Sequence, residues 1–227
     1  MNKTLIVGAG EIGNSLDKIL GCEYETRKLD KGDAKIIGDF EYMHICFPYS
    51  EEFIGEVKKY KQLYKPKYTI IHSTVPVGTS RKCQCWHSPV VGIHPHLEEG
   101  LKTFTKFIGG ENRKEVIDYF RRAGLKVYQT DKQETTELMK ISSTTFYGVC
   151  IEYVKELKNE CDKNSIPFEM WTLWTENYNK GYKELRHEEY MRPNLIPTKG
   201  KIGGHCVVSN ISFINNKFTK LIKDANK

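Results

Sequence analysis

Six residues near the amino terminus, Gly8-Ala9-Gly10-Glu11-Ile12-Gly13, have the spacing that holds a phosphate. They follow the apolar run Lys3 to Val7 and open a stretch, Ile12 to Leu20, with apolar residues at helical spacing. In that setting the first glycine permits a tight turn. The second lets the backbone approach a pyrophosphate, and the third allows close packing of helix on strand. The N–H groups at the helix start, those of Glu11 and Ile12 among them, then face the anion. Asp30 stands about 20 residues beyond the middle glycine, where such sites place an acid. It ends a short run from Tyr24 to Leu29. A carboxylate there grips ribose hydroxyls and repels a 2′-phosphate, so NAD is expected over NADP, with Arg27 and Lys28 arguing the other way. The run Met43 to Phe47 closes at Pro48, and Phe47 and Pro48 are expected to border the cofactor.

A second group of reactive side chains, Cys83, Cys85, His87, His94 and His96, crowds a short stretch. Such residues bind zinc in other settings, but Cys-x-Cys-x-His is not a common zinc spacing, and no metal is expected. Trp171 and Trp174, three apart on a helical pattern, read as a core or dimer face rather than a sugar platform.

The elements that must position these residues alternate between strand and helix. Strands are expected at Lys3 to Val7, Tyr24 to Leu29, Met43 to Phe47, Tyr68 to His72, Val90 to Ile93, Phe107 to Gly109 and Leu125 to Tyr128. Helices are expected at 12–20, Glu52 to Leu63 and Lys114 to Ala123, the last capped by Gly124. This order implies an α/β fold of Rossmann type, a doubly wound parallel sheet covered on both faces. After Thr130 the pattern becomes helical: Glu134 to Lys163 as one long helix or two in series, Phe168 to Tyr182, and a closing helix, Ile211 to Ala225. Between the last two, residues 184–201 read as a loop. The boundary is expected near residue 132, giving a dinucleotide-binding domain over 1–132 and a smaller all-helical domain over 133–227.

Bulk properties narrow the class. The 227 residues include 39% hydrophobic and 28% charged residues, which suits a soluble globular protein. No apolar run approaches the ~20 residues of a membrane span, and none resembles a secretory signal. A cytoplasmic protein without disulfides is therefore expected, its seven cysteines mostly apolar fillers. The net charge of +6 comes from scattered lysines. That scatter predicts neither nucleic-acid nor membrane binding and leaves a small-molecule substrate.

Three further segments occur in order after the glycine loop: Ser73-Thr74-Val75-Pro76-Val77-Gly78-Thr79, then Glu137-Leu138-Met139-Lys140, then Gly203-Gly204-His205-Cys206. With these the chain resembles the UDP-glucose/GDP-mannose dehydrogenase family, the nucleotide-sugar dehydrogenases, over nearly its whole length. That family oxidises a sugar alcohol to an acid with NAD, in two hydride transfers. The resemblance makes Cys206 the nucleophile, whose thiolate adds to the aldehyde and ends as a hydrolysable thioester. Lys140 becomes the group that stabilises an alkoxide or oxyanion. Thr74 and Glu99 become supporting groups at the catalytic centre. Thr144, Gly203, Gly204 and Asn210 fall at substrate positions, for a substrate that is a nucleotide sugar. The family's long central helix supports dimers, so the resemblance implies a homodimer through the helical domain.

The chain also departs from the family. Where the family has Pro-Glu, its acid/base for thioester hydrolysis, this chain has Pro95-His96. The family's asparagine after the lysine is Thr144, and its aspartate after the cysteine is Asn210. The sequence ends at Lys227, where the family continues into a nucleotide-binding C-terminal domain, so no such domain is expected. Two other readings therefore stand beside the first. One is a single-step hydroxyacid-type dehydrogenase that uses Lys140 and not Cys206; the other is a non-catalytic NAD-binding homologue.

Overall fold

A computed structural model of the chain describes residues 3–203 and 207–227. Two compact units divide it, Met1–Lys140 and Ile141–Lys227. The division falls inside a helix, eight residues beyond the boundary expected from the change of pattern.

The first unit is a seven-stranded sheet: β1 (Lys3–Val7), β2 (Glu25–Leu29), β3 (Tyr42–Ile45), β4 (Tyr68–Ile71), β5 (Trp86–His87), β6 (Lys106–Gly109) and β7 (Val127–Thr130). Its order is β2-β1-β3-β4-β5-β6-β7. Every pairing is parallel except β5 with β6, which is antiparallel. Five helices cover it: α1 (Glu11–Leu20), α2 (Phe53–Tyr64), α3 (Thr79–Lys82), α4 (Leu97–Thr103) and α5 (Lys114–Arg122).

Strand side chains alternate between faces, and the core follows that alternation. Ile6, Tyr42 and Ile70 pack with Leu16, Ile19 and Leu20 of α1 and Val116 and Phe120 of α5. Leu5, Val7, Met43, Ile45 and Ile71 pack on the other face with Phe53 and Val57 of α2. Each fully buried Leu or Ile contributes roughly 1.5–3 kcal/mol, so both faces are well anchored. Because the chain passes from β2 over β1 to β3, the loops at the carboxyl ends of β1 and β3 diverge. In open α/β sheets that divergence is where ligands bind.

One expected strand is misplaced. The sheet takes its fifth strand from Trp86–His87, not from 90–93. Pro89 carries no N–H for a ladder, Gly92 has φ +156, and Ile93 is 77% exposed. The apolar run thus leaves the sheet. It leads into α4, a helix not foreseen, which buries Leu97 and Leu101 at i,i+4 spacing.

The second unit begins within α6 (Gln133–Lys163), one continuous 31-residue helix, and takes it from Ile141 onward. It is joined by α7 (Glu169–Glu184), a 3-10 turn at Glu188–Tyr190, another at Asn210–Phe213, and α8 (Lys217–Ala225). Gly148 gives α6 its contact face: a Cβ there would lie 2.8 Å from Val207 Cγ1 and 2.9 Å from Ile222 Cδ1. The closing helix is shorter than expected. Asn216 adopts extended backbone and caps α8 reciprocally with Thr219, which separates it from the preceding 3-10 turn. Trp171 packs beside Val154, Cys161 and Phe168, whereas Trp174 is 69% exposed. Among the described residues, no helix is long and apolar enough to cross a membrane.

Candidate functional site

The glycine loop joins β1 to α1 at the divergence of the sheet. Its start is pinned on both sides: Gly8 N–H donates to Leu29 O at 2.8 Å, and Cys46 N–H donates to Val7 O at 2.8 Å. Gly8 has φ +104, and a Cβ on it would lie 2.8 Å from Phe47 N. Both its conformation and the nearness of the β3 loop therefore require glycine. A Cβ on Gly13 would lie 1.9 Å from Gly8 O, so α1 closes directly on the loop. Gly10, the N-cap of α1, is different: a Cβ there would meet nothing within 4 Å. Asn14 Nδ2 donates to Ala9 O at 2.7 Å and stiffens the turn. The first N–H groups of α1 have no intrahelical acceptor. Open space beside Gly10 next to such donors fits a pyrophosphate.

Asp30 follows β2 and is exposed. Its Oδ1 accepts from Lys31 N–H at 2.9 Å, and its own N–H donates to Asp33 Oδ2 at 2.7 Å, which sets the turn that carries the carboxylate. The two neighbouring cations are engaged elsewhere. Lys28 reaches Asp17 at 3.0 Å and Asn14 at 2.9 Å, and Arg27 reaches Glu25 at 3.3 Å. Phe47 is half-buried against Phe53, with ring centroids 5.0 Å apart, and Pro48 is exposed. Ile12 packs against the core.

The loop after β4 carries Thr74, which is half-buried. Glu137 of α6, fully buried, holds the far end of this loop. Its Oε2 accepts from Gly78 N–H at 2.6 Å and its Oε1 from Ser80 N–H at 2.8 Å. One turn later on the same helix face, Lys140 Nζ donates to Val90 O at 2.8 Å. His87 fixes the same region from β5: Nδ1 pairs with Thr136 Oγ1 at 2.8 Å and Nε2 with Ser73 O at 3.2 Å. Burial pushes the His87 pKa down to about 3, so it stays neutral. Lys140 and the segment that carries Thr74 are thus both tied by hydrogen bonds within the first unit.

The remaining expected site residues lie on other segments of the chain. Glu99 lies on α4 with its side chain 80% exposed and 3.6 Å from His96. Thr144, Gly203 and Asn210 belong to the second unit. Gly204 and Cys206, the nucleophile implied by the resemblance, lie outside the described residues. The five clustered Cys and His residues turn to separate partners. Cys85 donates to Cys83 O, His94 meets Glu11 and His96 meets Glu99. Among the described residues no three metal-ligating side chains gather.

Sequence reading missed two groupings. One is the contact of His94 with Glu11, across 83 positions of chain. The other is a buried polar chain under the sheet. His44 Nδ1 meets His72 Nε2 at 2.8 Å, and His44 Nε2 meets Tyr119 OH at 3.0 Å. Lys106 Nζ donates to Ser88 O at 3.2 Å. Burial lowers the Lys106 pKa to about 7 and that of His44 to about 3. It pushes the nearby Cys46 thiol up to about 12, so this cysteine is an inert filler.

Comparison with known proteins agrees with this architecture. No family model matches the chain. An uncharacterized protein of Methanocaldococcus jannaschii is 31% identical over 116 residues, which are 43% of this chain and 13% of that protein. Among solved structures, the UDP-N-acetyl-mannosamine dehydrogenase Cap5O of Staphylococcus aureus superposes with a TM-score of 0.76 at 15% identity, covering 99% of this chain and 67% of that one. The UDP-D-ManNAc dehydrogenase of Pyrococcus horikoshii gives 0.70 at 15% identity, covering 99% and 68%. The 3-hydroxyisobutyrate dehydrogenase of Mycobacterium tuberculosis gives 0.69 at 13% identity, covering 99% and 92%. The chain thus has the Rossmann-like α/β fold of these dehydrogenases.

Proposed function

We propose that this protein is an NAD-dependent oxidoreductase acting on a CH–OH group, built like the nucleotide-sugar dehydrogenases. The observation that carries the reading is the glycine loop. Gly8 and Gly13 are sterically obligatory, Gly10 opens onto empty space, and all lie where the sheet diverges. NAD held by the Gly8–Gly13 loop and Asp30 would supply the hydride acceptor, one equivalent for each of the two oxidations from alcohol to acid. Asp30 holds the ribose hydroxyls, and the engagement of Lys28 and Arg27 with their own carboxylates supports NAD over NADP. Lys140 supplies the cation for the substrate oxygen, and Glu137 fixes the Thr74 loop beside it. Cys206 acts as the covalent nucleophile toward an aldehyde in this reading, taking the substrate through to an acid.

The test is to incubate the protein with NAD and a panel of UDP- and GDP-sugars and follow the reduced-nicotinamide absorbance. Turnover that is lost in Cys206→Ser is expected. Bound NAD with silence across the panel refutes the nucleotide-sugar assignment. A second reading is a one-step hydroxyacid dehydrogenase that uses Lys140 and not Cys206, and its support is the likeness in fold to the 3-hydroxyisobutyrate dehydrogenase, at a TM-score of 0.69. In that case small hydroxy acids are oxidised and Cys206→Ser retains full activity.

A further inference from the structure

The segment that leaves the sheet after β5 is tied down at two points within the first unit. At one, Val90 O accepts from Lys140 Nζ at 2.8 Å. At the other, His94 Nδ1 donates to Glu11 Oε2. Glu11 is the first residue of α1, in the middle of the glycine loop. Its second oxygen, Oε1, is buried and has no hydrogen-bond partner.

This carboxylate is out of keeping with its position. The start of α1 offers N–H donors and a positive helix end to an anion. A bare carboxylate there competes for those donors and repels a pyrophosphate. The contact with His94 holds Oε2 and sets an imidazole N–H against its charge. Another ionic contact lies farther along, where Lys18 of α1 meets Glu98 of α4 at 3.4 Å. That pair leaves the Glu11 charge to His94.

We propose that His94 is a positioning residue for the dinucleotide: by holding and screening Glu11, it makes the glycine loop receptive to a pyrophosphate. The inference rests on the dinucleotide-binding reading above. It also couples two parts of the site, because the segment that carries His94 is the one whose Val90 carbonyl holds Lys140.

Calorimetric titration with NAD tests it on four proteins: wild type, His94→Ala, Glu11→Gln, and the double variant. His94→Ala is expected to bind about tenfold more weakly, the effect of one screened charge near the surface. Glu11→Gln is expected to bind at least as tightly as wild type. The double variant is expected to return to within about twofold of it, since removing the charge removes the need for the screen. A His94 that merely braces the loop predicts no such rescue. The inference is overturned if His94→Ala binds as wild type, if the double variant stays as weak as His94→Ala, or if Glu11→Gln itself loses affinity. The last arm stands even if His94→Ala fails to fold. Failure of wild type to bind NAD overturns the dinucleotide reading itself. Normal wild-type binding with any of the other results overturns only the role of His94.

Discussion

Gly10 and Gly13 belong to one loop but answer to different constraints. At Gly13 the backbone of Gly8 leaves no room for a methyl group, the Gly8 oxygen lying 1.9 Å from its place. Gly13→Ala must shift α1 off the sheet. A loss of several kcal/mol in unfolding free energy is expected, as for other overpacked positions. At Gly10 the φ of −71° is open to any residue and the space is empty. Gly10→Ala is expected to cost at most about 1 kcal/mol, the usual N-cap difference, and yet to weaken NAD binding by at least about tenfold, because the methyl group fills the ligand's side of the loop. Chemical denaturation and calorimetry on the two variants check both halves. The loop was legible in the sequence because its constraints are local: three glycines, a preceding apolar run and a following helical pattern. The contact of Glu11 with His94 was not. His94 stood out only as one of several Cys and His residues, and nothing local pairs it with a glutamate 83 positions away.

At the scale of elements, the long periodic segments were readable and the short ones were not. Burial periodicity foretold α6, whose single length of 31 residues the sequence left open between one helix and two. β5 has two residues and α4 has seven, too few for a period to show. A neighbouring run, Val90 to Ile93, imitated a strand more strongly than the real one did. What holds this irregular region is long-range. Glu137 accepts two backbone N–H groups from a loop nearly sixty positions earlier, at 2.6 and 2.8 Å. Glu137→Ala strands both donors in a buried place. We expect a loss of about 2–6 kcal/mol, from roughly 1–3 kcal/mol for each of the two unsatisfied groups, read as a lower urea midpoint. Glu137→Gln, which can still accept one bond, is expected to lose less. Equal stability of all three proteins would show that the loop is held by other means.

For the whole molecule, the buried polar chain under the sheet sets a pH dependence. Its members, His44 of β3, His72 just after β4, Ser88 just after β5, Lys106 of β6 and Tyr119 of α5, come from distant parts of the chain, so no local pattern announced them. Burial lowers the Lys106 pKa from 10.5 to about 7, with Cys46 opposing. Between those values the unfolded chain binds a proton that the folded protein does not. The Lys106 contribution to stability therefore rises with pH from about 7 to 10.5, and the penalty is fully present below about 7. His44 acts in the same direction lower down, from about 3 to 6.5. His72, buried beside Lys106, adds to it. The thermal midpoint is expected to climb from about pH 3 to 6.5 and again from about 7 to 9; above 9 the raised thiol pKa of buried Cys46 opposes the Lys106 contribution. Lys106→Met, which replaces a 3% exposed amine with an apolar group of similar length, is expected to flatten the upper window and leave the lower one. An unchanged slope above neutrality in that variant would contradict the assignment.

Every step of the proposed chemistry depends on the loop between β1 and α1 being a dinucleotide cradle. Parallel calorimetric titration of wild type and Gly10→Ala with NAD tests this most directly. Saturable one-site binding by wild type is expected, with at least about tenfold weaker binding by a variant of nearly unchanged thermal midpoint. No binding by wild type, or equal binding by the two, would contradict it.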